Sequence, residues 1–162
     1  MIELRKPTDS DVDALARIYI DSWNRGFGDL MGYRTHSRER RDRWRKDIHD
    51  PAVTWTVAEM DGAVVGFCGV GPSRDPVDPA LGELQTIAVD PPSWRRGVGR
   101  VLMEDALSFL RLAYDSAILW TVTGYQRGHA FYGAMGWTPL GWLRADGTET
   151  AFEHRLHEDD QT

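Results

Sequence analysis

Residues 81–102 read LGELQTIAVDPPSWRRGVGRVL, and this stretch decides the fold. Its apolar part, residues 83–89, predicts a strand that two prolines end. Gly97 and Gly99 then open a segment in which apolar residues recur with helical spacing. The first N–H groups of a helix lack internal partners and lie at the positive end of the helix dipole. The strand, turn and helix together therefore predict an anion-binding site.

Two better-known phosphate-binding loops do not fit these residues. The dinucleotide fingerprint needs a third glycine where this chain has Leu102. A P-loop needs Gly-Lys-Ser or Gly-Lys-Thr, which the chain does not contain. The pattern that remains is a shorter turn suited to a pyrophosphate.

The turn resembles the first motif of the GNAT superfamily of acyl-CoA-dependent N-acyltransferases. In that family a strand ending V-x-P precedes Q/R-x-x-G-x-G/A; here residues 89–91 are VDP and residues 94–99 are WRRGVG. The second motif, N-x-x-A-x-x-F-Y-x-x-x-G-F/W, resembles residues 125–137, YQRGHAFYGAMGW. A third similarity, to the S-W-x-x-x-Y/F-x-x-L of a large bacterial branch, lies at residues 22–30. The resemblance covers nearly the whole chain.

Three positions depart from these motifs. Trp94 stands where the family usually has Gln or Arg, Tyr125 replaces Asn, and Gly128 replaces Ala. The resemblance implies that each departure alters a side-chain contact to the cofactor. It also implies that the main-chain contacts of the glycine turn persist.

The order of the predicted elements indicates an α+β fold. The predicted strands are residues 2–5, 53–59, 63–70, 83–89, 117–122, 138–144 and 149–155, with hairpin turns at Asp61-Gly62 and Asp146-Gly147. Helices are predicted after Thr8 or Asp9, over 38–46, from the glycine turn, and near 126–135. Residues 23–33 and 72–79 are predicted to be loops.

The resemblance implies a mixed, mostly antiparallel, twisted sheet flanked by about four helices. Two central parallel strands, 83–89 and 117–122, would splay apart and admit the pantetheine arm of acyl-CoA. We expect a single domain over 1–156 and a loose tail over 157–162.

Composition limits the function classes. The 162 residues are 41% hydrophobic, which suffices for one domain with a core. The single cysteine excludes an internal disulfide framework, and neither a long apolar run nor a signal peptide is present, so we expect a cytoplasmic protein without a membrane partner. The net charge of −6 disfavours nucleic acid, and the basic residues 38–46 are predicted to be a solvated helix with Glu39–Arg43 and Asp42–Lys46 pairs; nucleic-acid binding there is the alternative.

The resemblance implies which residues hold acetyl-CoA, the expected co-substrate, and it implies no metal. Main-chain groups of Ile87 and Val89 would pair with the pantetheine amides. The pyrophosphate would rest on backbone N–H groups of Arg95, Arg96, Gly97, Val98, Gly99 and Arg100.

Acyl transfer to an amine needs a proton donor for the leaving thiolate and a base for the amine. Tyr132 occupies the family position of the general acid; the alternative is that it packs the helix against the sheet. Glu83 is the candidate base, with a surface strand-end charge as the alternative and His129 as a rival. Cys68 would permit a covalent acyl-enzyme, but a small buried thiol in an apolar strand is the expectation.

The resemblance implies that the acceptor pocket lies between the first two helices and the last hairpin. Its candidate lining residues are Trp23, Phe27, Asp29, Tyr33 and Trp142. These features predict an acetyl-CoA-dependent N-acetyltransferase in which a primary amine attacks directly in a ternary complex. The alternative is a non-catalytic acyl-CoA-binding or regulatory module. The resemblance also allows a homodimer.

Overall fold

The protein is described by a computed structural model over residues 1–158; residues 159–162, most of the expected tail, lie outside the described residues. Within this range the strands are β1 Ile2–Arg5, β2 Thr54–Met60, β3 Ala63–Arg74, β4 Val77–Val89, β5 Ser116–Val122, β6 Thr138–Arg144 and β7 Glu149–Arg155. The helices are α1 Val12–Met31, α2 Arg38–Asp47, α3 Val98–Ala113 and α4 Gln126–Ala134. Short 3-10 turns, Asp9–Asp11 and Pro91–Ser93, precede α1 and α3.

The described strands form one sheet in the order β1-β2-β3-β4-β5-β7-β6. Every neighbouring pair is antiparallel except β4 and β5, which run parallel. This parallel pairing extends only from Leu81–Ser116 to Glu83–Ile118. Beyond Glu83 the two strands separate, and the gap lies between residues 84–89 and 119–122. The predicted α+β fold with two splayed central strands is confirmed.

Helices cover both faces of the sheet. Successive strand residues point to opposite faces, so β2 sends Trp55 and Val57 to one side and Ala58 to the other. The first side packs against α1 and α2. The second packs against the apolar face of α3, whose buried residues are Val98, Leu102, Met103, Ala106, Leu107 and Leu110. This double coverage leaves the gap between β4 and β5 as the opening into the sheet.

The loop predicted over residues 23–33 is wrong, because α1 continues to Met31. Gly26 and Gly28 lower helix propensity and favoured the loop interpretation. Aromatic packing overrides that preference: the rings of Trp23 and Phe27, one turn apart, lie 4.9 Å apart in an edge-on arrangement. Helix propensity does not include this ring–ring contact, and the contact keeps Trp23 and Phe27 in helix α1 rather than in a loop.

The loop predicted over residues 72–79 is also wrong. β3 runs to Arg74 and β4 begins at Val77, so the two strands form one long hairpin. Pro72 lies in β3 beside a register shift, a position at which a strand tolerates a missing N–H. The extension brings Arg74 within hydrogen-bond distance of the Glu83 carboxylate.

The arginine-rich helix α2 forms where it was predicted, but within residues 1–158 the predicted Glu39–Arg43 and Asp42–Lys46 ion pairs do not form. Ser37 caps it by accepting a hydrogen bond from the Arg40 N–H at 3.1 Å. Its ion pairs are Arg41–Asp13 and Arg45–Asp42, each at 3.6 Å. Over residues 1–158, no helix is long and apolar enough to cross a membrane.

Candidate active site

The glycine turn exposes the first N–H groups of α3. Gly97 has φ +87, a left-handed conformation that glycine adopts without strain, and the helix begins at the next residue. The first main-chain bond inside this turn runs from the Val101 N–H to the Gly97 carbonyl at 3.1 Å. The N–H groups of the residues between them have no helical partner. A Cβ built on Gly97 would meet no atom within 4 Å, so the turn is open to a ligand.

A cavity of about 550 Å³ runs from this turn along β4 to α4. Six of the eight predicted cofactor-binding residues line it: Ile87, Val89, Arg95, Gly97, Gly99 and Arg100. The Arg96 side chain is exposed and the Val98 side chain is 1% exposed in the core. Because Arg96 and Val98 are predicted to bind the pyrophosphate through their main-chain N–H groups, the positions of their side chains do not block these contacts.

The edge of β4 that faces the gap carries main-chain groups for the cavity. The Asp90 N–H donates to the Val65 carbonyl of β3 at 2.8 Å, so the neighbouring Val89 directs its own carbonyl away from β3. The Trp94 indole N–H donates to this Val89 carbonyl at 2.6 Å. Trp94 therefore ties the turn to the edge of β4.

Tyr125 and Gly128, which both differ from the second family motif, are sterically coupled. The Tyr125 ring packs edge-on against Phe27 with centroids 4.8 Å apart and covers Gly26. A Cβ on Gly128 would lie 2.6 Å from Tyr125 Cδ1, a distance that real Cβ atoms do not reach. The tyrosine needs a glycine three residues later, and together they close the cavity between α1 and α4.

A second, smaller cavity of about 200 Å³ adjoins the first. It lies on the other side of the gap, where Glu83, Arg74 and Trp120 line it. The two cavities share the residues Ser22, Phe27, Ile87, Ala88 and Tyr132. The sheet opening therefore connects them.

Tyr132 lies at the junction of the two cavities. Burial raises the pKa of its phenol to about 12, and the nearby Thr121 side chain opposes part of that rise. The phenol thus keeps its proton throughout the neutral pH range. It also packs beside Phe152 with ring centroids 5.8 Å apart, so the packing role and a proton-donor role are compatible.

Glu83 is 2% exposed, so it is not a surface charge. Its Oε1 accepts a hydrogen bond from the Arg74 main-chain N–H at 2.9 Å, and its Oε2 accepts one from Arg74 Nη2 at 2.7 Å. Arg74 is itself more than half exposed at the cavity mouth. The sequence carried no signal for this partner, because the pairing depends on the unexpected extension of the β3–β4 hairpin.

The structure brings only part of the predicted acceptor pocket together. Trp23 and Phe27 line the Glu83 cavity. Asp29 and Tyr33 lie outside it and pair with each other, the Tyr33 hydroxyl donating to Asp29 Oδ1 at 2.5 Å. Trp142 is 42% exposed and lies beside Trp120, with ring centroids 6.5 Å apart, but does not line the cavity.

Two alternative catalytic residues lie away from the junction. The His129 ring lies 3.1 Å from the Val122 carbonyl and lines neither cavity. Cys68 is buried, its thiol lies 3.6 Å from the Leu102 carbonyl, and burial raises its pKa to about 12. A thiol held in its protonated form is a poor nucleophile, which argues against a covalent acyl-enzyme through Cys68.

Sequence reasoning missed two cations at the cavities. The Arg127 guanidinium lies 5.6 Å above the Trp94 ring and lines the larger cavity. The Arg144 guanidinium lies 4.2 Å above the Trp120 ring and lines the smaller one. Arg127 supplies positive charge beside the position where the family usually has Gln or Arg.

Comparison with known proteins agrees with this geometry. The sequence profile of the acetyltransferase (GNAT) family matches residues 9–137, most of the chain. The chain belongs to the GNAT acetyltransferase family. An uncharacterised N-acetyltransferase of Archaeoglobus fulgidus is 29% identical over 137 residues, which cover 83% of this chain and 91% of that protein.

Solved GNAT-family structures share the fold. The ribosomal-protein-alanine N-acetyltransferase of Brucella melitensis matches with a TM-score of 0.78 at 22% identity, covering 94% of this chain and 99% of that one. YncA of Salmonella typhimurium, solved with its cofactor acetyl-CoA, matches with a TM-score of 0.77 at 18% identity, covering 98% and 96%. At these identities the likeness concerns the fold alone.

Proposed function

We propose that this GNAT-family protein is an acetyl-CoA-dependent N-acetyltransferase that acts on a primary amine in a ternary complex. The observation that carries the proposal is the meeting of two cavities at Tyr132. One cavity begins at an anion-binding turn, and the other contains a buried carboxylate. A thioester and an amine that enter from opposite sides would meet beside the phenol. We also propose a cytoplasmic location, in keeping with the single buried cysteine.

The larger cavity supplies the groups that would hold acetyl-CoA. Its pyrophosphate would rest on the N–H groups of the glycine turn, with Arg95, Arg100 and Arg127 around it. The pantetheine amides would pair with the gap-facing edge of β4 at Ile87 and Val89, as an added strand does. The Val89 carbonyl, which already accepts from the Trp94 indole, has a second lone pair for such a bond. This binding depends on main-chain shape, so the change at Trp94 is compatible with it.

The chemical step is attack of the amine nitrogen on the thioester carbonyl. The C–N bond forms, the C–S bond breaks, and the leaving CoA sulfur takes the proton of the Tyr132 phenol. The proton that the nitrogen loses as the amide forms then returns the Tyr132 phenolate to the phenol. The ammonium proton passes first to Glu83 through water, because an alkyl amine is protonated at neutral pH. Arg74 holds the Glu83 carboxylate through hydrogen bonds to both of its oxygens, and its own guanidinium is more than half exposed.

The test is thiol release from acetyl-CoA with a panel of amines, measured for wild type, Tyr132→Phe and Glu83→Gln. We expect Tyr132→Phe to lower kcat about 10²-fold or more and to leave the acetyl-CoA Kd within twofold. Tyr114→Phe is the matched control and should keep wild-type rates, because Tyr114 packs against the α3 side of the sheet and lines neither cavity.

Glu83→Gln tests whether Glu83 is the general base or only a buried carboxylate with a structural role. As the base, Glu83 gives kcat/KM its ascending acidic limb, and the glutamine variant should lose that limb. An unchanged pH profile would remove Glu83 from the mechanism. Acetyl-CoA binding without thiol release for any amine would instead favour the non-catalytic acyl-CoA-binding module.

A further inference from the structure

A large open cleft continues the Glu83 cavity on its outer side. Its volume is about 960 Å³, near the upper end of small-molecule sites, and it lies between α2 and the β3–β4 hairpin. The cleft and the cavity share Tyr19, Arg74, Gln85 and Thr86 as lining residues. The two spaces are therefore continuous, and an acceptor too large for the Glu83 cavity can extend into this cleft.

Arg34 is fixed at the wall of the cleft. Its main chain is clamped by Asn24, whose side chain accepts from the Arg34 N–H at 2.7 Å and donates to the Arg34 carbonyl at 2.9 Å. Its guanidinium lies 3.4 Å from the centre of the Trp23 ring and donates to the Tyr19 hydroxyl at 2.7 Å. The conformational entropy that an arginine usually loses on binding is already lost here.

No carboxylate in residues 1–158 lies within ion-pair distance of Arg34, Arg40 or Arg43, all of which line the cleft. The acids on the lining are Asp47 and Asp50. Asp50 Oδ1 already accepts a hydrogen bond from the Ala52 N–H at 2.9 Å. Arg43 interacts electrostatically with Asp47, and Arg74 pairs with Glu83. Arg34, Arg40 and Arg43 nevertheless outnumber the two aspartates, so the cleft has a small local excess of positive charge in a chain whose net charge is −6.

We propose that the acceptor amine carries a carboxylate or phosphate group, which Arg34 binds and which Arg40 and Arg43 attract into the cleft. A planar guanidinium held in place, with free donors and no acidic partner, is suited to a two-point contact with such an anion. Trp23 links the two sites, since its ring supports Arg34 and also lines the Glu83 cavity. This inference rests on the proposed function, because it describes the substrate of that reaction.

The test uses pairs of amines that differ in one negative charge: 6-aminohexanoate with 6-aminohexanamide, and 2-aminoethyl phosphate with ethanolamine. Binding is measured by titration of ¹⁵N-labelled protein, following the Trp23 indole and Arg34 Nε–H signals, and turnover by thiol release. We expect the anionic member of at least one pair to bind about tenfold or more tightly than its neutral partner. The carboxylate and phosphate pairs distinguish the two chemistries.

Arg34→Gln should remove that preference, and Arg34→Lys, which keeps the charge without the planar fork, should remove most of it. The double variant R40Q/R43Q, on the exposed face of α2, should weaken anion binding severalfold without touching the Arg34 clamp. Arg45→Gln is the matched control, because Arg45 lies on the same helix, pairs with Asp42 and does not line the cleft.

Equal binding of charged and neutral partners, or no binding of any probe, would overturn the inference. An equal loss in Arg45→Gln and Arg34→Gln would do so too, since it would reduce the effect to diffuse charge. These results are independent of the proposed transfer reaction. That reaction fails instead if acetyl-CoA binds and no amine releases thiol, whatever the anion preference.

Discussion

Gly128→Ala should destabilise the protein, although alanine is normally the better helix former. In α4, alanine would contribute about 1 kcal/mol relative to glycine. The added Cβ, however, would lie 2.6 Å from Tyr125 Cδ1. The Tyr125 ring cannot yield easily, because Phe27 packs on it and a Cβ built on Gly26 would lie only 3.4 Å from it. Overpacking of this kind costs about 1–3 kcal/mol. The propensity gain offsets part of this cost, so we expect a net loss of about 1 kcal/mol, or about 2–4 °C in Tm.

Urea and thermal unfolding of a double-mutant cycle test this reasoning. Gly133→Ala is the matched control, because the same helix contains it and its Cβ would meet no atom within 4 Å. It should be neutral or stabilising by up to about 1 kcal/mol. In a Tyr125→Ala background, Gly128→Ala should also become stabilising, which gives a coupling energy of about 2 kcal/mol. A Gly128→Ala variant as stable as Gly133→Ala would refute the coupling between Tyr125 and Gly128.

Three further predictions concern single groups. Trp94→Phe loses the bond to the Val89 carbonyl, so calorimetry should find acetyl-CoA binding weaker by about 3–10-fold; unchanged affinity would remove that role. Burial raises the pKa of Tyr132 to about 12, so the protonated phenol contributes its full share to the free energy of unfolding below the ordinary pKa near 10, and that share is lost as pH rises to about 12. The stability difference between wild type and Tyr132→Phe, measured by unfolding at alkaline pH, should therefore shrink across this window. A constant difference would contradict the prediction. Arg5 lowers the pKa of Asp11 through hydrogen bonds at 2.7 and 2.9 Å. Asp11→Asn should therefore lower the free energy of unfolding by about 1–3 kcal/mol at pH 7 and by less once pH falls below about 4, which urea unfolding at the two pH values measures. An equal loss at both pH values would count against the pair.

The glycine turn was predictable because its signals are local. A strand, two prolines, a left-handed glycine and a periodic helix each follow from residue type within 22 residues of chain. The splayed strands followed from the family resemblance, and the pairing of β4 with β5 confirms them by stopping at Glu83. Predictions that rest on main-chain conformation needed no knowledge of distant contacts.

The rest of the site depends on contacts between distant residues. Glu83 meets Arg74 only because the hairpin continues through prolines, and the helical Trp23 and Phe27 owe their place partly to Tyr125, about a hundred residues later. The acceptor side was therefore only half predicted. The role of Arg34 could not be predicted from the sequence, because the hydrogen bonds between Asn24 and the Arg34 main chain join two residues that the predicted loop would not bring together.

The central claim is that the turn at Gly97 and the free edge of β4 together hold acetyl-CoA. The most direct measurement is calorimetric titration of the wild-type protein with acetyl-CoA, CoA and NAD in parallel. NAD shares the pyrophosphate but lacks the pantetheine arm that would pair with β4. The account predicts one acetyl-CoA or CoA per chain with a Kd on the order of micromolar, and no comparable binding of NAD. Absence of CoA binding, or equal binding of NAD, would contradict it.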